Sequence, residues 1–228
     1  MLQSLSHPAL VQVEDIYEIE LEPSAGFGVR YRALPPSVQE HLQNHKRFAP
    51  QEIKQLLHNA LVALQELHTL SPPFIHGNIS PETLHWEPET YTVQFSNPLG
   101  DFTLNLPDDV TYDPLHPYFS PEQLHQLCDA RSDLYSLGLT LLHIITAKPP
   151  EKLRGIDSYL DLETSHDDTM MWVLEMLTED LEARPASAQE ALEALNDTSS
   201  GRGCLLALLI VVIAVPAALV TGLYFLLF

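Results

Sequence analysis

His41 and His45 stand four residues apart in HLQNH, a stretch expected to be helical, so both imidazoles would share one face at a spacing able to grip a metal ion. No third ligand lies near them in the sequence, and the pair reads better as exposed or partner-facing histidines. Cys128 and Cys204 are too few for a disulfide framework or a four-cysteine zinc site. Cys204 borders an apolar run where a lipid could be attached, although a small buried thiol is the simpler reading. Asn78 in NIS and Asn196 in NDT have glycosylation spacing, but Pro81 follows the first, and a cytoplasmic placement would make both irrelevant. Eleven histidines are scattered rather than clustered, as ordinary surface residues are. Residues 151–200 carry 13 acidic and three basic residues, which reads as a solvated face before it reads as a docking surface.

The elements that would position these groups follow from periodicity. Val11, Val13, Ile19 and Leu21 alternate as in a half-buried strand, FGVRYRAL at 27–34 alternates likewise, and Pro23–Gly26 supplies a turn between them. After Pro35-Pro36 the period becomes helical, with a helix over Ser37–Asn44 and a stronger one from Pro50. Ile53, Leu57, Ala60, Leu61, Leu64 and Leu67 form a stripe along that second helix. Residues 71–128 are rich in Pro, Asn and Asp, with a strand-like piece at Tyr91–Phe95. DLYSLGLTLLHIIT at 133–146 is apolar nearly all round, which predicts a central buried helix. Two further helices fit Thr169–Leu177 and Ala186–Leu195.

Of the 228 residues, the last 25, Cys204–Phe228, carry no charge, and only Pro216, Thr221 and Gly222 fall outside the apolar set. As a helix they would measure about 37 Å against a hydrocarbon core of about 30 Å, enough to cross a membrane with some tilt. Arg202 beside the span points weakly to a cytoplasmic placement of the preceding domain, tied on by a polar linker at 196–203. The N-terminal residues lack the basic and apolar regions of a secretory signal. The whole net charge of −20 belongs to the first 203 residues, which argues against nucleic acid as a partner and against adhesion to anionic lipid through basic patches.

Five segments in order carry a family resemblance: FIHGNISPETL (74–84), VQFSNPLG (93–100), YFSPEQ (118–123), DLYSLGLTLLHIITAKPP (133–150) and LEARPASAQEALEAL (181–195). Together they resemble the C-terminal lobe of a bacterial-type serine/threonine protein kinase. HGNISPETL stands where that family has H-R-D-L-K-P-E-N, SNPL where it has D-F-G, and SPE where it has A-P-E. LSHPALVQV (5–13) resembles the start of the family's fourth strand, and FGVRYRAL its fifth. The implied fold is α+β: a reduced N-lobe of two or three strands at 1–35, a mostly helical kinase-like C-lobe at 36–195, the linker at 196–203 and one transmembrane helix at 204–228. With six residues before His7, the resemblance leaves no chain for the glycine-rich phosphate loop, the strand lysine or its helix glutamate.

The resemblance also implies what the chemistry lacks. The position of the proton-accepting aspartate is Asn78, and an amide oxygen has no carboxylate basicity. The catalytic-loop lysine is replaced by Ser80, the metal-binding asparagine by Thr83 and the metal-binding aspartate by Asn97. Magnesium prefers anionic oxygen, so no cofactor is expected, with at most weak ATP-Mg binding. Pro98 and Leu99 replace the Phe and Gly that follow that aspartate. His76 and Asp133 keep the packing histidine and the helix aspartate that ties the loop down, and Glu122 with Arg184 keeps a buried salt bridge. The expectation is a catalytically silent kinase-like protein, single-pass and membrane-anchored with its domain cytoplasmic. It would act as a signalling scaffold through a protein partner, either a full-length kinase or a second copy, at a sheet edge left open in residues 11–34. The competing expectation is an atypical serine/threonine kinase whose nucleotide site is completed in trans. A mis-called start codon would be a third explanation of the short N-terminus.

Overall fold

The leucine stripe of residues 53–67 becomes helix α2, Pro50–His68. Pro50 occupies its first turn, and the Glu52 carboxylate accepts the Ala49 N–H at 2.8 Å, satisfying one of the donors a helix start leaves free. This is a computed structural model, and it describes residues 7–21, 24–31, 34–44, 46–98, 117–125, 128–152, 176 and 181–196. Leu56 and Ala63 are buried along with the expected stripe, because α2 packs against helices on one side and a strand on the other.

Ahead of α2 lies the short helix α1, Val38–Gln43, fixed by a reciprocal cap. Ser37 Oγ accepts the Glu40 N–H at 3.1 Å, and the Glu40 carboxylate accepts the Ser37 N–H at 2.7 Å. Two antiparallel hairpins supply the β part of an α+β chain: β1, Val13–Leu21, with β2, Ser24–Tyr31, and β3, Leu84–Glu87, with β4, Thr92–Phe95. The first connection is tighter than the turn expected at 23–26. Leu21 pairs with Ser24, so only residues 22 and 23 join the strands, and Ser24–Gly26 belong to β2, which ends at Tyr31 rather than at Leu34. β3 has no counterpart in the periodicity reading, since four residues are too short to show alternation.

The β3–β4 hairpin is flanked on both edges. Leu10 bridges Phe95 in parallel, with Val11 N donating to Phe95 O at 2.9 Å, and Ser37 bridges His85 on the other side. Ala9 and Leu10 are buried in the same core as Trp86, Phe95 and the α2 leucines.

The central helix α3 runs Ala130–Thr146, starting three residues before the expected Asp133 because the Asp129 carboxylate caps it at the Arg131 N–H. Leu134, Leu137, Leu141 and even Asp133 and Thr140 are fully buried. Helix α4, Ala188–Asn196, begins two residues later than expected, at the cap made by Ser187 Oγ on the Glu190 N–H. Its end takes Asn196 out of the expected linker. Met176 is helical and buried, while the rest of the helix expected at 169–177 lies outside the described residues, as do His45 and the apolar segment 204–228. Among the described residues no helix is long and apolar enough to cross a membrane.

Candidate functional site

The loop between α2 and β3 is suspended from Asp133, a carboxylate with no solvent exposure on the first turn of α3. Its Oδ2 accepts the His76 N–H at 2.9 Å and Oδ1 accepts the Gly77 N–H at 2.7 Å. His68, at the end of α2, places Nε2 2.9 Å from the same Oδ2. One buried charge thus joins the end of α2, the loop and α3, and its lone pairs are spent on named donors as a buried carboxylate requires. Gly77 takes φ 72°, a left-handed conformation that favours glycine.

His76 is fully buried and its ring lies 5.3 Å from that of Phe95, centroid to centroid. Nδ1 accepts the Asn78 N–H at 3.3 Å. Burial pushes the imidazole pKa down to about 4, against the opposing pull of the Asp133 charge and the Ser96 carbonyl. The ring is therefore neutral at pH 7 and serves as packing.

Asn78 and Asn97 are brought together. Asn78 Nδ2 donates to the Asn97 carbonyl at 2.9 Å, and Asn97 itself is exposed with φ 52°. Ser80 and Thr83 are turned inward and buried. Thr83 Oγ1 donates to the Asn78 carbonyl at 2.6 Å and accepts the Ser80 N–H at 2.9 Å, and the two hydroxyls sit 3.3 Å apart. The side chains of Asn78 and Thr83 are thus hydrogen-bonded to main-chain groups of this loop and of the segment after β4. These neutral groups offer amide and hydroxyl hydrogen bonds and no negative oxygen. Among the described residues no group of three or more His, Cys, Asp or Glu could hold a metal ion.

A second knot lies behind the loop. Arg184 Nη1 donates to Glu122 Oε1 at 2.7 Å and to the Arg131 carbonyl at 3.0 Å, with its guanidinium 4.8 Å above the Tyr135 ring. Ser132 Oγ donates to the same Glu122 oxygen at 2.9 Å. Burial alone would raise the Glu122 pKa, but the hydrogen bonds from Arg184 and Ser132 and the Arg184 charge leave it below the ordinary carboxylate range. Glu122 sits in a short 3₁₀ helix, Pro121–His125, and the next residue, Gln123, links the two knots. Its amide nitrogen donates to the Gly77 carbonyl at 2.9 Å, and its oxygen accepts the Ser120 N–H at 2.9 Å. Sequence reasoning passed over Gln123, and the only available signal was its place directly after Glu122. His41, weighed as a metal ligand, instead places Nε2 3.1 Å from the Trp86 carbonyl and packs edge-on to the Trp86 and Phe48 rings.

No family model matches the chain. It is 28% identical over 153 residues, 64% of its length, to a probable serine/threonine-protein kinase of Streptomyces coelicolor. It is also 28% identical over 156 residues to the serine/threonine-protein kinase WNK of Caenorhabditis elegans, and 25% over 152 residues to a probable serine/threonine-protein kinase of Corynebacterium efficiens. The chain spans 22%, 8% and 23% of these relatives respectively.

Proposed function

Because this chain is protein-kinase-like, we propose that its loop has lost phosphoryl transfer and that it works by binding another protein. The observation that carries this reading is the hydrogen bond from Asn78 Nδ2 to the Asn97 carbonyl. By resemblance these positions would hold the proton acceptor and a metal-binding carboxylate. Here an amide donates where a carboxylate could only accept, so the side chain is used as part of the loop's framework. Thr83, at the other metal-binding position, gives its hydroxyl to the Asn78 carbonyl. Phosphoryl transfer depends on positioning and on neutralising negative charge through metal ions. A donor set of two amides and a committed hydroxyl fits magnesium-nucleotide poorly.

What remains intact by resemblance is the framework: His76 and Asp133 holding the loop, Glu122 and Arg184 holding the segment behind it. A lobe kept rigid without its reactive groups is suited to presenting a surface, and the partner proposed is a full-length kinase or a second copy. Residues 204–228 are proposed to anchor it in a membrane as a single pass with the domain on the cytoplasmic side, which resistance to alkaline extraction and protease protection would test.

The decisive experiment is the melting temperature of the purified full chain with and without millimolar ATP-Mg, beside a phosphate-transfer assay. A ligand at a hundred times its Kd stabilises by about 2.7 kcal/mol, a readily measured rise. No rise and no transfer are expected. A clear rise, or transfer abolished by Asn78→Ala, would overturn the reading in favour of a kinase.

A further inference from the structure

The β1–β2 hairpin is a two-stranded sheet, and among the described residues neither outer edge is paired. Two strands alone are marginal in water, and three or more are the usual minimum for independent stability. The two edges differ in chemistry. β1 carries four acidic residues in nine, Glu14, Asp15, Glu18 and Glu20, and a register shift between Val13 and Asp15. Charges and bulges are the devices that keep an edge strand from pairing. β2, SAGFGVRY, has no bulge and a single charge, Arg30, in eight residues of unbroken register.

We propose that β2 pairs with β2 of a second copy of this chain, giving a four-stranded sheet in the order β1–β2–β2–β1. This rests on the binding reading above and names its partner and surface. Two-fold antiparallel pairing requires a residue to face its own counterpart, and centring it on Phe27 fits the sequence best. Phe27 then faces Phe27, an aromatic cross-strand pair, while Gly26 faces Gly28, Ala25 faces Val29 and Ser24 faces Arg30. No like charges meet. The same operation at β1 would bring two acidic strands together, which is why the shared edge is β2.

The test uses the full chain with Cys128 and Cys204 replaced by serine. A Phe27→Cys variant brings the two Cβ atoms to about 4.5–5.5 Å, the lower end of which meets the upper end of disulfide geometry at about 4.5 Å. Mild oxidation is expected to yield a covalent dimer. Glu18→Cys, on the β1 edge, would stand about 14 Å from its counterpart across three strand spacings and should stay uncrosslinked. Gly26→Lys with Gly28→Lys brings lysines opposite one another across the shared edge and should weaken the dimer on the order of tenfold or more in sedimentation equilibrium. Within the hairpin those lysines lie opposite Ile19 and Tyr17, and retention of the fold is checked by circular dichroism. A monomer at all concentrations, equal crosslinking at residues 18 and 27, or a dimer untouched by the lysines would overturn the proposal. None of these outcomes bears on the ATP-Mg experiment, so the two readings fail separately.

Discussion

A single buried guanidinium shows how much one side chain carries here. Arg184 has no exposed side-chain surface, and its partner Glu122 only 13%. Replacing Arg184 by alanine leaves the Glu122 carboxylate without its cation, with the Ser132 hydroxyl still donating to it, and takes one donor from the Arg131 carbonyl. The expected cost is about 3–5 kcal/mol, read as a lower denaturant midpoint at unchanged slope. Replacing both partners together, Glu122→Leu with Arg184→Met, should cost less than the sum of the single changes, because neither charge is then stranded. An additive double mutant would contradict a coupled pair. Asn78 gives the complementary test. Asn78→Asp restores the acidic residue type but sets an oxygen against the Asn97 carbonyl, where the amide donates at 2.9 Å. The expected result is a loss of about 1 kcal/mol at neutral pH, partly regained in acid as the new carboxyl is protonated, with no gain of phosphate transfer. A variant more stable than the parent at pH 7 would show that the amide is not part of the framework.

Between elements, the tie is Asp133. It faces the His76 and Gly77 amides and His68 Nε2, so α2, the loop and α3 share one acceptor. Asp133→Asn keeps the shape and replaces one accepting oxygen by a donating nitrogen that must oppose a main-chain N–H. A destabilisation of roughly 3 kcal/mol is expected, with hydrogen exchange quickening first at residues 76 and 77. Uniform quickening across α2 and α3 would mean that the carboxylate serves the whole core rather than the loop. Such ties are hard to read from sequence. The α2 stripe was legible because 3.6-residue periodicity needs no partner to be seen, and Leu56 and Ala63 were missed because α2 is packed against several elements, α3, α4 and β4, and buries more than one stripe. Likewise the start of α3 turned on a capping aspartate outside the apolar pattern. The separation of 62 residues between Glu122 and Arg184 has no periodicity at all, and only the family resemblance pointed to that pair. Gln123 was invisible because its role is a contact across 46 residues to a main-chain carbonyl.

For the molecule as a whole, pH sets two effects against each other. A chain of net charge −20 repels itself, and acidification should relieve that strain and favour the compact state. His76 works the other way. Unfolded, its imidazole titrates near 6.5, but in the fold burial holds it down to about 4. Between those values the unfolded chain binds the extra proton, so the stability present above pH 6.5 drains away as the pH falls and levels off near 4. The span corresponds to roughly 3 kcal/mol. Burial lowers His85 as well, held between the Pro35 carbonyl and Ser96 Oγ, and it contributes with the same sign. Glu122, Glu40 and Glu52, whose pKa values lie below the ordinary 4.5, keep their contribution down to about that pH and lose it as the pH falls further, through their lowered values. The histidine contribution can therefore be isolated by comparing urea midpoints at pH 7 and pH 4.5 for the parent chain and for His76→Gln. The parent should lose more stability between the two conditions than the variant by roughly 2–3 kcal/mol, even though the variant starts lower at pH 7. Equal losses in both would place the acid sensitivity in the carboxylates and remove His76 from the account.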